Sequence, residues 1–216
     1  MEENNNLTGA TDERTSPDKH TVPLSRRMWL ELLEILSDVA FPIIGMIVIN
    51  TTIISFASYH DFTTSILALI GGEIMMTVAL VIFGRANGNA AYNKTVLNNQ
   101  KRALGSTEEK VVCGAGEYAL WKGVLIGAIL CIPFVLLQII ELCYHNAFCE
   151  FCLKYVCGWA YYPFSYLGKG YQALNFIMVI LPIAAHTVAY YLGKLKQIKI
   201  QEAVAAKNAS KKRRKK

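Results

Sequence analysis

Four stretches of this chain, at 39–58, 62–83, 120–142 and 171–192, are each about twenty residues long, and none carries more than two charged side chains. A bilayer hydrocarbon core about 30 Å thick takes roughly 20 apolar residues in a helix, so each stretch has the length and character of a membrane span. Helices are required because lipid leaves no backbone group a partner outside its own segment. A membrane barrel is excluded by the pattern: these runs are continuously apolar and do not alternate. The expected fold is an all-α integral membrane protein, a bundle of four transmembrane helices with an N-terminal interfacial helix and short extramembrane helices.

Composition agrees. The chain is 53% hydrophobic and only 18% charged, against about 25% charged in soluble domains. The charges fall in blocks between the apolar runs, which excludes an ordinary globular core. No cleavable signal peptide is expected, because residues 1–27 are polar and do not pass from a basic start into an apolar run. The net charge of +6 equals the contribution of the last six residues, Lys211, Lys212, Arg213, Arg214, Lys215 and Lys216, so it describes a tail.

Orientation follows from Lys and Arg, which accumulate on the cytoplasmic side. The segment before the first span carries Arg14, Lys19, Arg26 and Arg27. The connector Tyr59, His60 and Asp61 carries none. The next connector carries Arg85, Lys94, Lys101, Arg102 and Lys110, with Lys122 just inside the third span. The connector at 143–170 carries only Lys154 and Lys169. With both termini cytoplasmic, twenty basic residues lie inside and two outside.

Around this frame, residues 1–25 are rich in Asn, Thr, Asp and Ser and are expected to be disordered. Residues 26–193 form the membrane domain, and 194–216 a basic cytoplasmic tail. The segment RRMWLELLEILSD at 26–38 repeats apolar residues at helical spacing: Trp29, Leu32, Leu33, Leu36 and Val39. Glu31, Glu34 and Asp38 take the other face. It reads as an interfacial helix or as an extension of the first span, with Pro42 at the bend. The connector at 84–119 suits a polar helix over 85–102 and a helix start at Ser106–Glu109, and looks like a docking surface. It offers no phosphate-binding glycine loop, metal-ligand spacing or nucleophile–base pair.

The most informative residue is Glu73, near the middle of the second span. A charged side chain there costs at least ~2.5 kcal/mol, so such groups face protein or water and often mark ion or proton pathways. The short connector makes spans one and two antiparallel neighbours, which brings Asn50 and Thr51 close to the depth of Glu73. A structural Glu73–Asn50 hydrogen bond stands against a transport role. His186 either meets Glu73 or bonds a backbone carbonyl. Gln138, Glu141 and Asn175 are expected to meet headgroups or water, and Pro133 and Pro182 to kink their helices. Gly123 with Gly127, and Ala68 with Gly72, allow close helix approach within the bundle.

The connector at 143–170 is crowded with aromatics, which favour the membrane interface. Phe148, Cys152, Tyr155 and Trp159 are spaced to share one helix face. Cys143, Cys149, Cys152 and Cys157 lie in or beside this connector. They suit one or two disulfides, free thiols among aromatics, or a redox pair or half a zinc site, with His145 as a further ligand, at Cys149–Cys152. Through its span count and this external C-x-x-C, the chain resembles four-helix membrane enzymes that make disulfides with a quinone, the vitamin K epoxide reductase type. Those enzymes place cysteines in two separate regions; here the connector of Tyr59, His60 and Asp61 has none, and the resemblance extends no further than CEFC.

Taken together, the sequence is that of a non-enzymatic multi-pass protein of a plasma membrane, of bacterial type, acting as a transport-related or accessory subunit. The alternatives are a thiol redox enzyme using the C-x-x-C and a small-solute or ion carrier using Glu73. No cofactor is expected. The expected partners are the lipid bilayer, a second protein or further copies of the chain, and anionic lipid at the basic residues 211–216; sequence-specific nucleic acid is not among them.

Overall fold

The computed structural model describes residues 22–57, 62–165 and 169–214. The expectations for 1–21, for the connector at 59–61 and for Lys215 and Lys216 lie outside the described residues. Four helices are long and apolar enough to cross a membrane.

The first helix, α1, runs unbroken over Leu24–Ala57. Of the two readings of 26–38, this is the extension of the first span, and it corrects the fold expected with a separate interfacial helix. The physical reason is pairing. The acidic face of 31–38 meets neighbouring helices: Glu34 pairs with Lys94 at 2.6 Å, and Glu31 with Lys122 at 2.7 Å. Pro42 is buried inside the continuous helix.

The second helix, α2, covers Phe62–Ala103. Its 42 residues span about 63 Å at 1.5 Å per residue, roughly twice the hydrocarbon thickness. The polar helix expected over 85–102 is its continuation. A short helix α3, Glu109–Cys113, stops at Gly114, whose φ of 71° closes the helix in the left-handed conformation that glycine adopts without penalty. Helix α4 is Leu120–Tyr144, with Pro133 inside it.

At the far end of the bundle, α5 (Ala147–Val156) begins at Asn146, whose side chain accepts from the backbone N–H of Phe148 and Cys149. Helix α6 is Gly158–Ser165. The fourth span then starts as a 3-10 segment, Lys169–Val179, before continuing as α7 over Ile180–Arg214. Pro182, expected to kink its helix, lies two residues after the change from 3-10 to α-helix. The segment read as a tail is helical as far as Arg214.

Helices α2 and α7 form the most extensive contact in the bundle. Glycine makes it possible. A Cβ at Gly84 would lie 2.8 Å from the Ala189 Cβ and 2.9 Å from the His186 carbonyl oxygen, and one at Gly88 would strike the Tyr190 carbonyl. From α7, Gly193 meets the Arg85 carbonyl in the same way. Helix α4 enters through Gly127, where a Cβ would lie 2.8 Å from the Ile183 Cα, and through Gly123, against the Tyr190 ring. The pair Gly123 and Gly127 thus packs the chain's own bundle, and Gly72 does the same against Ile53. Between the helices, Met76, Leu80, Ile126, Leu130, Phe134, Leu153 and Trp159 form the core. The outer faces are apolar too: Phe41, Ile44, Leu67, Ile74, Ile82 and Leu136 are all exposed.

The connector at 84–119 folds onto the bundle. Arg102 donates to the Val111 carbonyl oxygen at 2.9 and 2.6 Å and also pairs with Glu117. Asn98 donates to Glu117 at 2.9 Å, and Tyr118 N–H to Thr95 Oγ1 at 2.8 Å. Arg26 of α1 pairs with Glu109 at 2.6 Å. The polar groups read as a docking surface are largely engaged with one another.

Candidate functional site

Glu73 stands eleven residues into α2, about 16 Å from its start. Its Oε2 is buried and accepts no hydrogen bond. The carboxyl group lines a cavity of about 460 Å³, together with Asn50 and Ile53 of α1, Ile70 and Met76 of α2, Trp159 and Tyr162 of α6, and Met178 of the 3-10 segment. Ligand pockets in proteins commonly measure about 300–1,000 Å³, with apolar walls and a few placed polar groups. This cavity fits that description.

The expected Glu73–Asn50 bond is not formed. Asn50 is 4% exposed, and both ends of its amide are taken by the far end of the bundle. Its Nδ2 donates to the Tyr155 carbonyl at 2.7 Å, and its Oδ1 accepts the Trp159 N–H at 3.1 Å. The second bond caps the first turn of α6 from another helix, because the residues beside that turn, Cys157 and Gly158, bring no capping oxygen of their own. Thr51 adds a 3.2 Å bond to the same Tyr155 carbonyl. Asn50 therefore fixes the wall of the cavity and leaves Glu73 unanswered.

His186 is fully buried and does not reach Glu73. Its Nδ1 lies 3.2 Å from the Gly123 carbonyl oxygen, and its Nε2 has no partner. This is the backbone-bonded histidine that was one of its two readings. Gln138 and Glu141 correct another expectation. They are 0% and 6% exposed, turned into the bundle, and both amide atoms of Gln138 and the Oε2 of Glu141 lack partners. Asn175 is likewise fully buried. Helices α5 and α6 lie over this end and cover positions that a count from the membrane surface places in contact with headgroups.

All six cysteines are free thiols in the structure: Cys143 is exposed, Cys152 half-buried, and Cys149, Cys157, Cys113 and Cys131 buried, with Cys157 within electrostatic reach of Cys152 and Cys131. Among the described residues, no cluster of His, Cys, Asp and Glu is placed to hold a metal. The expected aromatic face is also split. Phe148 and Phe151 point outward, and Phe151 packs on Tyr155 at 4.6 Å between ring centres. The chain turns at Cys157, and Trp159 instead enters the core beside Phe134 at 5.7 Å. Lys154, on the outer side of α5, bonds Glu150 at 2.7 Å, which holds its ammonium above the usual lysine range. The basic residues 211–216 are remote in sequence from the cavity, and those described lie in the last turn of α7.

A second polar group sits at the end of the bundle that holds the beginning of α1 and the extension of α7. Lys122 is only 7% exposed and bridges Glu31 and the Glu117 carbonyl oxygen, at 2.7 and 2.6 Å. Tyr118 stacks on the buried Tyr190 with ring centres 5.0 Å apart. Burial, and then the neighbouring Tyr191, hold the Tyr118 phenol above its ordinary range. Each charge in this group is matched at close range, which makes it a clamp between helices and leaves the Glu73 cavity as the candidate site. Compared with known proteins, the chain matches no family model, no curated protein and no solved structure.

Proposed function

We propose that the chain is a multi-pass membrane protein, both termini cytoplasmic, that binds a small solute in the Glu73 cavity as part of a transport-related function. The four apolar helices and their apolar outer faces support insertion. The twenty-to-two division of basic residues supports the orientation. One observation carries the binding reading: the Glu73 carboxyl, inside an apolar run and lining a largely apolar cavity, has a buried oxygen, Oε2, with no hydrogen bond from the described residues. A group that only held helices together would be bonded to one of them. Four helices give little room for a path across the bilayer, so a working unit of two or more copies, in a plasma membrane, belongs to the proposal.

The test uses stability and binding together. Because Glu73 holds nothing, Glu73→Leu removes an unmatched polar group and should raise the unfolding midpoint of the purified protein, the usual signature of a residue kept for function against stability. Membrane-permeant solutes screened by thermal shift should include some that stabilise the wild type and leave the Leu variant unmoved. A Leu variant less stable than wild type, or a screen in which every solute acts alike on both, would sink this reading.

A further inference from the structure

The walls of the cavity narrow the class of solute, and this step rests on the binding reading above. The apolar lining from Ile53, Ile70, Met76 and Met178 takes a hydrophobic body. Asn50 lines the cavity but has both amide ends committed to Tyr155 and Trp159. Among the described lining residues none is basic, and the one carboxyl group is that of Glu73, which can accept hydrogen bonds and balance a positive charge. Two aromatic side chains, Trp159 and Tyr162, share the cavity with it. An aromatic face attracts an ammonium group through its quadrupole, tryptophan most strongly, and the attraction is larger where water is excluded. A carboxylate and aromatic rings around an apolar space are complementary to one class above others.

We infer that the Glu73 cavity is a receptor for a lipophilic organic cation, an amine with a compact apolar body, with Glu73 as its counter-ion and Trp159 and Tyr162 beside the charged nitrogen. A neutral molecule of the same shape gains the apolar walls and at most a hydrogen bond to Glu73, without charge pairing. An anion meets the carboxylate with no basic residue among the described lining residues to offset it. A hydrated inorganic cation finds one carboxylate among them and no second charged side chain, whereas such ions take several oxygen ligands.

The experiment compares adamantylamine with adamantanol, which share one apolar cage and differ in the cationic head. Binding is measured by equilibrium dialysis to the full chain in phosphatidylcholine nanodiscs, with partition into empty nanodiscs subtracted. Wild type should prefer the amine by at least about tenfold. Glu73→Gln, which keeps the shape and loses the charge, should bring the two compounds within about twofold, with the size-exclusion elution volume as the check on folding. Trp159→Phe should reduce the preference. Equal binding of both compounds to wild type would overturn the cation class and leave the solute reading standing. Binding of neither beyond empty nanodiscs would overturn both. A preference that survives Glu73→Gln would remove Glu73 as the counter-ion. Should Glu73→Gln fail to fold, the wild-type comparison of amine with alcohol still decides the class.

Discussion

Replacing Asn50 with Leu should destabilise the bundle by about 2 kcal/mol, a figure built from the three bonds that meet at this side chain and its neighbour. The substitution preserves volume but deletes the donor to the Tyr155 carbonyl and the acceptor for the Trp159 N–H. The Trp159 amide is buried, and leaving a buried donor unpaired costs about 1–3 kcal/mol. The Tyr155 carbonyl loses less, because Thr51 still donates to it at 3.2 Å. Polar bonds between membrane helices average only ~0.6 kcal/mol, with a maximum near ~1.7 kcal/mol, which sets the total toward the middle of the range. Thr51→Val should cost about 0.5 kcal/mol or less, since its stronger bond, 2.8 Å to the Ile47 carbonyl, lies within its own helix. The double variant should exceed the sum of the two by about 0.5–1 kcal/mol, because only there does the Tyr155 carbonyl lose both donors. Equilibrium unfolding in mixed micelles, followed by tryptophan fluorescence, reads all three. An Asn50→Leu protein within about 0.5 kcal/mol of wild type, or strict additivity of the pair, would refute the clasp.

Gly88→Leu should prevent α2 from closing on α7, since even a methyl group there meets the Tyr190 carbonyl; size-exclusion chromatography should show loss of the folded peak, and a well-folded variant would contradict the crossing. Lys122→Met strands Glu31 and should cost about 3 kcal/mol, the low end for a broken buried pair because Glu31 keeps some solvent. Adding Glu31→Gln should restore much of that loss in the same micelle unfolding assay, and no recovery would mean the two residues act separately. For orientation, the exposed thiol of Cys143 should react with a membrane-impermeant maleimide on intact cells, whereas a cysteine replacing the exposed Leu104 should not. The reverse pattern would invert the protein.

The membrane-length runs were legible because apolar length is a property of sequence alone, and all four reappear as helices at the expected places. What the sequence hid was continuity. The polar half of α2 and the extension of α7 contain few apolar residues at regular spacing. Where α1 and α2 run on beyond their apolar stretches, Glu34 and Lys94 pair between them, and Glu31 pairs with Lys122 of α4. Gly84, Gly88 and Gly193 fell outside the stretches read as spans, so their spacing went unused, although small residues four apart are the signal that was recognised at Gly123 and Gly127. Glu73 stood out because an acid inside an apolar run is conspicuous. Its surroundings could not be read, because Asn50 is held by residues 155 and 159, more than a hundred positions away. Gln138 and Glu141 were misplaced for a similar reason: depth along a helix is countable, but the covering of one end by α5 and α6 is not.

The contact between α2 and α7 also sets a timetable for synthesis. The two helices are separated by more than seventy residues, Ala103 to Ile180. At about 5–20 residues per second, a ribosome takes roughly 4–15 s to cover that interval. Throughout it, the glycine face of α2 is open and its most extensive partner is not yet made. The chain must therefore pass through a half-built stage in which Gly84 and Gly88 are uncovered. Ribosome profiling combined with crosslinking from this face would catch whatever shelters it.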